Sequence, residues 1–131
     1  MKALQHTKKG IAIAPGVIKD DADFTSNVID TAGMSYIEID AIIGSIDADA
    51  ATLKLMESDI KTDANTLGGV PTEVKDATTK PGASDDNKIW TFGVDLVNKV
   101  HKRFMLLQAK AGDGAAGTYL AASYQADILA W

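Results

Sequence analysis

Residues 36–43 read Tyr36-Ile37-Glu38-Ile39-Asp40-Ala41-Ile42-Ile43. Every second side chain, Ile37, Ile39, Ala41 and Ile43, is apolar, and Tyr36, Glu38, Asp40 and Ile42 alternate with them. A period of two belongs to a β-strand, whose successive side chains leave opposite faces. The stretch therefore predicts a strand with one face on a core.

The same period recurs on both sides. Ala51 to Glu57 sets Leu53 and Leu55 against Thr52, Lys54 and Met56. Ile89 to Leu96 sets Trp90, Phe92, Val94 and Leu96 against Thr91, Gly93 and Asp95. Arg103 to Lys110 is continuously apolar over Phe104-Met105-Leu106-Leu107, which predicts a strand covered on both faces. Ile11 to Ile18 reads as a first strand bent at Pro15-Gly16, and Thr72 to Thr78 as a weaker, edge strand. Thr118 to Leu129 fits two templates. Leu120, Tyr124, Ile128 and Trp131 form a helical stripe, whereas the even-numbered residues from Leu120 to Ala130 form one strand face. The strand explains more positions, although its three alanines favour helix.

Turn signals separate these segments: Gly44-Ser45, Asp59 to Gly69, Pro81-Gly82, Asp85-Asp86-Asn87 and Gly112-Asp113-Gly114. Seven or so short strands punctuated in this way predict an all-β, single-domain sandwich or barrel. A length of 131 residues fits one domain. Residues 59–87 are rich in Asp, Thr, Gly and Pro and predict a long loop, or a hairpin with a small strand. Long loops in compact domains are often interaction surfaces.

Charge divides the chain into a basic N-terminal arm, residues 1–10, and an acidic body, residues 11–131. The arm carries Lys2, Lys8 and Lys9 and no acid, within a net charge of −5. Such an arm reads either as a disordered tail, the common state of a terminus, or as a segment that docks on an acidic surface. Twelve of the 13 basic residues are lysine and only Arg103 is arginine. An acidic chain poor in arginine argues against nucleic acid as a partner. No segment approaches the roughly 20 apolar residues of a membrane span, and the first residues lack the apolar stretch of a signal peptide. With no cysteine, disulfides, thiolate zinc sites and thiol nucleophiles are excluded.

The motifs that suggest chemistry are weak. Gly112-Asp113-Gly114-Ala115-Ala116-Gly117 matches a dinucleotide fingerprint, but only 14 residues follow, too few for the required βαβ unit. The expected reading is a hairpin loop between the last two strands. Asp47 and Asp49, and Asp20, Asp21 and Asp23, lack calcium-loop spacing and read as acidic turns. Asp85-Asp86-Asn87 reads as turn chemistry at a strand entry. His101 reads as a solvated loop residue. The serines stand in no nucleophile motif. We expect no catalytic residue, metal or cofactor. Trp90, Phe92, Phe104, Tyr119 and Tyr124 read as core aromatics, with a carbohydrate platform as the alternative. Trp131 reads as a subunit contact, since tryptophan is enriched at interfaces.

The order of several short stretches resembles the head decoration, or cement, proteins of tailed bacteriophages. They are Asp30-Thr31-Ala32-Gly33 before the Tyr36 strand and Leu53-Lys54-Leu55-Met56-Glu57-Ser58-Asp59. Asp85-Asp86-Asn87, Val94-Asp95-Leu96, Lys102-Arg103-Phe104 and Ala111-Gly112-Asp113-Gly114 follow. The resemblance spans about residues 28–130. Met56 stands where a polar residue is expected. What it implies is a jelly-roll-like sandwich of about seven or eight antiparallel strands, without catalytic residues, on the outer surface of the virion capsid. The implied partners are the major capsid protein and further copies of the chain, a trimer being favoured over a dimer. Candidate capsid or subunit contacts are Lys2, His6, Lys8, Lys9 and Trp131. A head–tail connector or tail component is the alternative within the same resemblance. A carbohydrate- or cell-surface-binding module is the alternative outside it.

Overall fold

A computed structural model describes residues 7–16, 23–112 and 118–129 of the chain. Among these residues there are eleven strands and no helix. They are β1 (Thr7–Ile13), β2 (Asp23–Thr25), β3 (Ile29–Asp30), β4 (Met34–Ile46), β5 (Thr52–Ser58), β6 (Lys61–Asp63), β7 (Thr66–Leu67), β8 (Thr72–Asp76), β9 (Ile89–Asp95), β10 (Phe104–Lys110) and β11 (Thr118–Ile128).

Eight of them build two antiparallel sheets, in the orders β1-β11-β4-β9 and β2-β10-β5-β8. The chain changes sheet at every link between these long strands except β5 to β8, which pair as neighbours. This is the strand order of a jelly roll, two interleaved Greek keys. β3 continues the line of β2 along β10, and β6 and β7 form a separate hairpin. The expected all-β sandwich is therefore observed, with β11 a strand of 11 residues and not a helix.

Alternation decides which side chains meet between the sheets. Ile37, Ile39, Ala41 and Ile43 of β4, with Phe92 and Val94 of β9, face Leu53 and Leu55 of β5 and Met105 and Leu107 of β10, all buried. Burying a side chain of this size stabilises by roughly 1.5–3 kcal/mol. β10 is covered on both faces, as its continuous apolar run predicts: Met105, Leu106 and Leu107 are all buried.

Ser26 carries the ladder across the break between β2 and β3. It is fully buried. Its hydroxyl accepts from the Leu107 amide at 2.8 Å and donates to the Asn27 carbonyl at 2.8 Å. A side chain thus takes the place of a missing backbone partner.

The four-stranded sheet β1-β11-β4-β9 contains one unusual pattern. The chain has three tyrosines, and each covers a strand glycine in this sheet: Tyr124 over Gly10, Tyr119 over Gly44 and Tyr36 over Gly93. A glycine in a strand leaves a gap in side-chain cover, and an aromatic ring from the neighbouring strand fills it. A Cβ at any of the three would meet the ring.

Two expectations need correction. The first strand is Thr7–Ile13 and not Ile11 to Ile18. Pairing with β11 and burial of Ala12 draw Lys8, Lys9 and Gly10 into the sheet despite their weak strand propensity. Pro15, which has no amide hydrogen, lies just beyond its end. Residues 7–10 thus belong to the sheet and not to a separate arm; residues 1–6, 17 and 18 lie outside the described residues. The link carrying Gly112 to Gly117 is not a hairpin. It joins β10 to β11, which belong to different sheets; residues 113–117 themselves lie outside the described residues. The 59–87 stretch holds the β6–β7 hairpin and edge strand β8.

Candidate functional site

The paired registers arrange the outward side chains of the four-stranded sheet in rows. From the β1 edge to the β9 edge, the first row is Thr7, Asp127, Tyr36 and Asp95. The second is Lys9, Gln125, Glu38 and Gly93, and the third is Ile11, Ser123, Asp40 and Thr91. The fourth is Ala121, Ile42 and Ile89. The face is graded: charged at one end, apolar at the other.

At the apolar end Ile11 is 62% exposed, Ile89 61%, Tyr119 45% and Ile42 42%. A groove of about 410 Å³ runs there between Pro15-Gly16 and Tyr119, floored by Ile42 and Ala121. Single exposed apolar residues are normal, but a contiguous group on one flat face marks an interaction surface. At the charged end Glu38 and Asp40 share the face two residues apart. The negative charge of Asp40 pushes the Glu38 carboxyl above its ordinary range. Asp40 is held by the Thr91 hydroxyl, which donates to it at 2.6 Å.

The outward face of the other sheet differs. The β6–β7 hairpin lies over it, with Leu67 and Pro71 against Met56 and Leu106 in a shallow groove. The Val28 amide donates to the Ala64 carbonyl at 2.7 Å and fastens the hairpin tip. The Ser58 hydroxyl donates to the Gly68 carbonyl at 2.7 Å and accepts from the Ile60 amide, fastening its base.

Of the candidate contacts, Lys8 and Lys9 are among the described residues. Lys8 and Lys9 are exposed on β1, but alternation sends them to opposite faces of the strand, so they form no single basic patch. Only Lys9 joins the graded face. Lys2, His6 and Trp131 lie outside the described residues.

His101 corrects the solvated-loop reading. Its Nδ1 lies 3.1 Å from Glu57 Oε2, and both side chains are largely buried. Glu57 also accepts from the Lys102 amide, Asp59 from the Arg103 amide, and the Arg103 carbonyl accepts from the Thr31 hydroxyl at 2.6 Å. Arg103 closes the anchor with two bonds to Asp30, of 2.9 and 2.8 Å. The guanidinium bonds outweigh the effect of partial burial and hold the Asp30 carboxyl down at about 2. This cluster fixes the entry to β10.

Three further acids act as turn residues. Asp86 accepts from the Ile46 amide, Asp85 from Gly82 and Asp49 from Ala83. Asn87 takes a positive φ of 59° in the same turn, a conformation asparagine tolerates. Among the described residues no group of three or more His, Asp or Glu is placed to hold a metal ion. Trp90 turns toward the core side of β9, paired with the buried Ala41, while Tyr119 is exposed on a different strand. They form no aromatic line, which removes the geometric support for a carbohydrate platform.

Sequence reasoning did not single out Ile11, Ile42 and Ile89, and it placed Tyr119 in the core, whereas the structure leaves its ring exposed. One signal was present: Ile42 is the apolar residue on the otherwise polar face of the Tyr36–Ile43 alternation.

Fold and face together define a jelly-roll β-sandwich with one partly apolar sheet face that stays exposed among the described residues. No family model matches the chain, and no curated protein matches it significantly.

Proposed function

We propose that this chain is a structural protein of a tailed-phage virion, a decoration or cement protein on the outer capsid surface that clamps neighbouring major capsid subunits. The observation that carries the reading is the graded outer face, where Ile11, Ile42, Ile89 and Tyr119 stay exposed at one end of a rigid sheet. A broad, partly apolar sheet face on a jelly roll suits a protein surface, and the groove between Pro15-Gly16 and Tyr119 gives it relief. The segment resemblance supplies the kind of surface.

The physics of such a clamp needs no strong single site. Weak contacts repeated by symmetry multiply through effective concentration. A protein that binds the assembled lattice and not its free subunits stabilises the lattice by mass action.

The test is the copy number of the chain in purified particles, by quantitative mass spectrometry against the major capsid protein, together with an Ile42→Asp/Ile89→Asp variant. A ratio near one, or a simple fraction of it, with capsid binding lost in the correctly folded variant, is the expected result. Six or twelve copies move the protein to the head–tail connector or tail. Absence from particles overturns the virion reading.

A further inference from the structure

Sheets end in edges, and an edge strand offers unpaired backbone groups to any extended segment. Proteins blunt their edges with charge or shortness. Of the four edges that the described strands of the two sheets leave, three are blunted. β2 has three residues, β8 reads Thr72-Glu73-Val74-Lys75-Asp76, and β1 carries Lys8 and Lys9. The exception is β9, which reads Ile89-Trp90-Thr91-Phe92-Gly93-Val94-Asp95 and has no charge before its last residue.

The backbone groups at the β9 edge follow from the ladder. The Lys88 carbonyl accepts from the Ile43 amide, and the Leu96 amide donates to the Ser35 carbonyl. Antiparallel pairing alternates, so β4 takes the even-numbered groups of β9 and those of Ile89, Thr91 and Gly93 point outward. A groove of about 390 Å³ lies beside this edge, between Ile89–Phe92 and the stretch from Lys75 to Thr79.

We infer that the β9 edge pairs antiparallel with the β1 edge of a second copy of this chain. The two strands are of equal length, seven residues, and their charge patterns are complementary. β1 is cationic in its first half and apolar in its second; β9 is apolar at its start and acidic at its end. Antiparallel pairing sets Lys9 beside Asp95 on the outer face, and Ile11 beside Ile89. Pairing β9 with another β9 sets Ile89 against Asp95, and pairing β1 with β1 sets Lys9 against Ile11 and Lys8 against Ala12. Both mismatch.

Strand direction agrees as well. All neighbours in the sheet are antiparallel, and β9 against a second β1 continues that alternation. The register that extends the existing rows places Lys9 opposite Gly93 and Ile11 opposite Thr91. Lys9 then lies one diagonal step from Asp95, and Ile11 one from Ile89, within side-chain reach. The Asn27 amide already donates to the Ala12 carbonyl, so pairing ends at Ile11.

Such an interface is head-to-tail, and repeated it closes into a ring or runs on as a filament. The inference rests on the self-association that the segment resemblance implies and names the two strands that make it. It does not depend on the capsid.

The chain has no cysteine, so introduced ones report cleanly. In an Ile11→Cys/Thr91→Cys variant the two thiols face each other across the interface, at a Cα separation of about 5.5 Å that a disulfide spans. Within one chain, β1 and β9 are three strand spacings apart, about 14 Å, too far for a bond. Oxidation of the folded protein is expected to give a covalent ladder that stops at the ring size. Ile11→Cys and Thr91→Cys alone should stay monomeric on a denaturing gel.

A second pair of variants tests the handedness of the contact. Thr91→Pro blocks the β9 edge and Lys9→Pro the β1 edge, each without removing a ladder bond. By sedimentation velocity each should be monomeric alone, and mixing should give a one-to-one dimer and nothing larger. A wild-type monomer at millimolar concentration, single-cysteine cross-linking equal to that of the pair, or proline variants that assemble like wild type would each overturn the inference. Capsid binding is read separately by cosedimentation. A ring that ignores capsids leaves the edge pairing standing and counts against the virion reading alone.

Discussion

The two sheets of the sandwich bury similar inner faces but treat their outer faces differently. On β2-β10-β5-β8, Leu106 points outward yet is only 6% exposed, because the β6–β7 hairpin covers it. On β1-β11-β4-β9, Ile89 also points outward and stands bare. Both sheets carry outward apolar side chains. The difference is that one cover is encoded in the described chain and the other is not. An apolar residue on the wrong side of an alternating strand is thus a statement about a covering element, and for the four-stranded sheet that element is not among the described residues.

The sharpest test of that contrast compares two truncations. Leu106→Ala should destabilise the isolated protein by about 2–4 kcal/mol, the range for a large-to-small change at a buried site. Ile89→Ala should stay within about 0.5 kcal/mol. Urea unfolding measures both, and equal losses would erase the distinction between the faces. Ser26→Ala comes next. It orphans the buried Leu107 amide, at a cost of about 1–3 kcal/mol, and should speed hydrogen exchange at that amide. Ser58→Ala removes both bonds at the hairpin base. We expect a loss of about 1 kcal/mol, with faster exchange confined to Ile60 and its neighbours while β4 and β11 stay protected. Slowed exchange around Ile60 would mean that the hairpin is not held from its base.

The smallest effect is electrostatic. Asp30 has a folded value of about 2 against an ordinary 3.8. A depressed carboxyl contributes stability that is present above pH 3.8 and lost as pH falls through 2. Both partners are about half exposed, so salt screens the pair. Arg103→Gln should therefore lower Tm slightly at pH 7, less so in high salt, and the gap to wild type should close between pH 4 and pH 2. A gap that persists at pH 2 would assign Arg103 a role in packing, consistent with its guanidinium lying 5.0 Å from the Phe104 ring centre.

The fold class was legible because period-two alternation survives wherever one sheet face is buried. Tyr36 to Ile43 and Ile89 to Leu96 show it without interruption, and β10 announced its double cover by losing it. Three things were hidden. β1 contains Lys8, Lys9 and Gly10, and only its tertiary partner β11 makes that sequence a strand. The link after Gly112 resembled a hairpin because turn residues encode the reversal and not the sheet that follows. His101 resembled a loop residue because its partner Glu57 stands 44 positions away. The candidate face was half visible. Ile42 breaks the polar side of its strand, but nothing local reveals that Ile11 and Ile89 share its face, since that depends on registers set by β11 and β4.

The strand order also constrains how the molecule comes into being. β11, the last strand in the described chain, lies between β1 and β4, and Thr7 pairs with Asp127. During synthesis β1 waits without a partner until nearly all of the described chain has emerged. Long-range closure of this kind is slow, and unpaired strands exposed meanwhile promote association between nascent chains. The first and last strands are thus kinetically one element, and the four-stranded sheet is completed only after translation has passed its final strand.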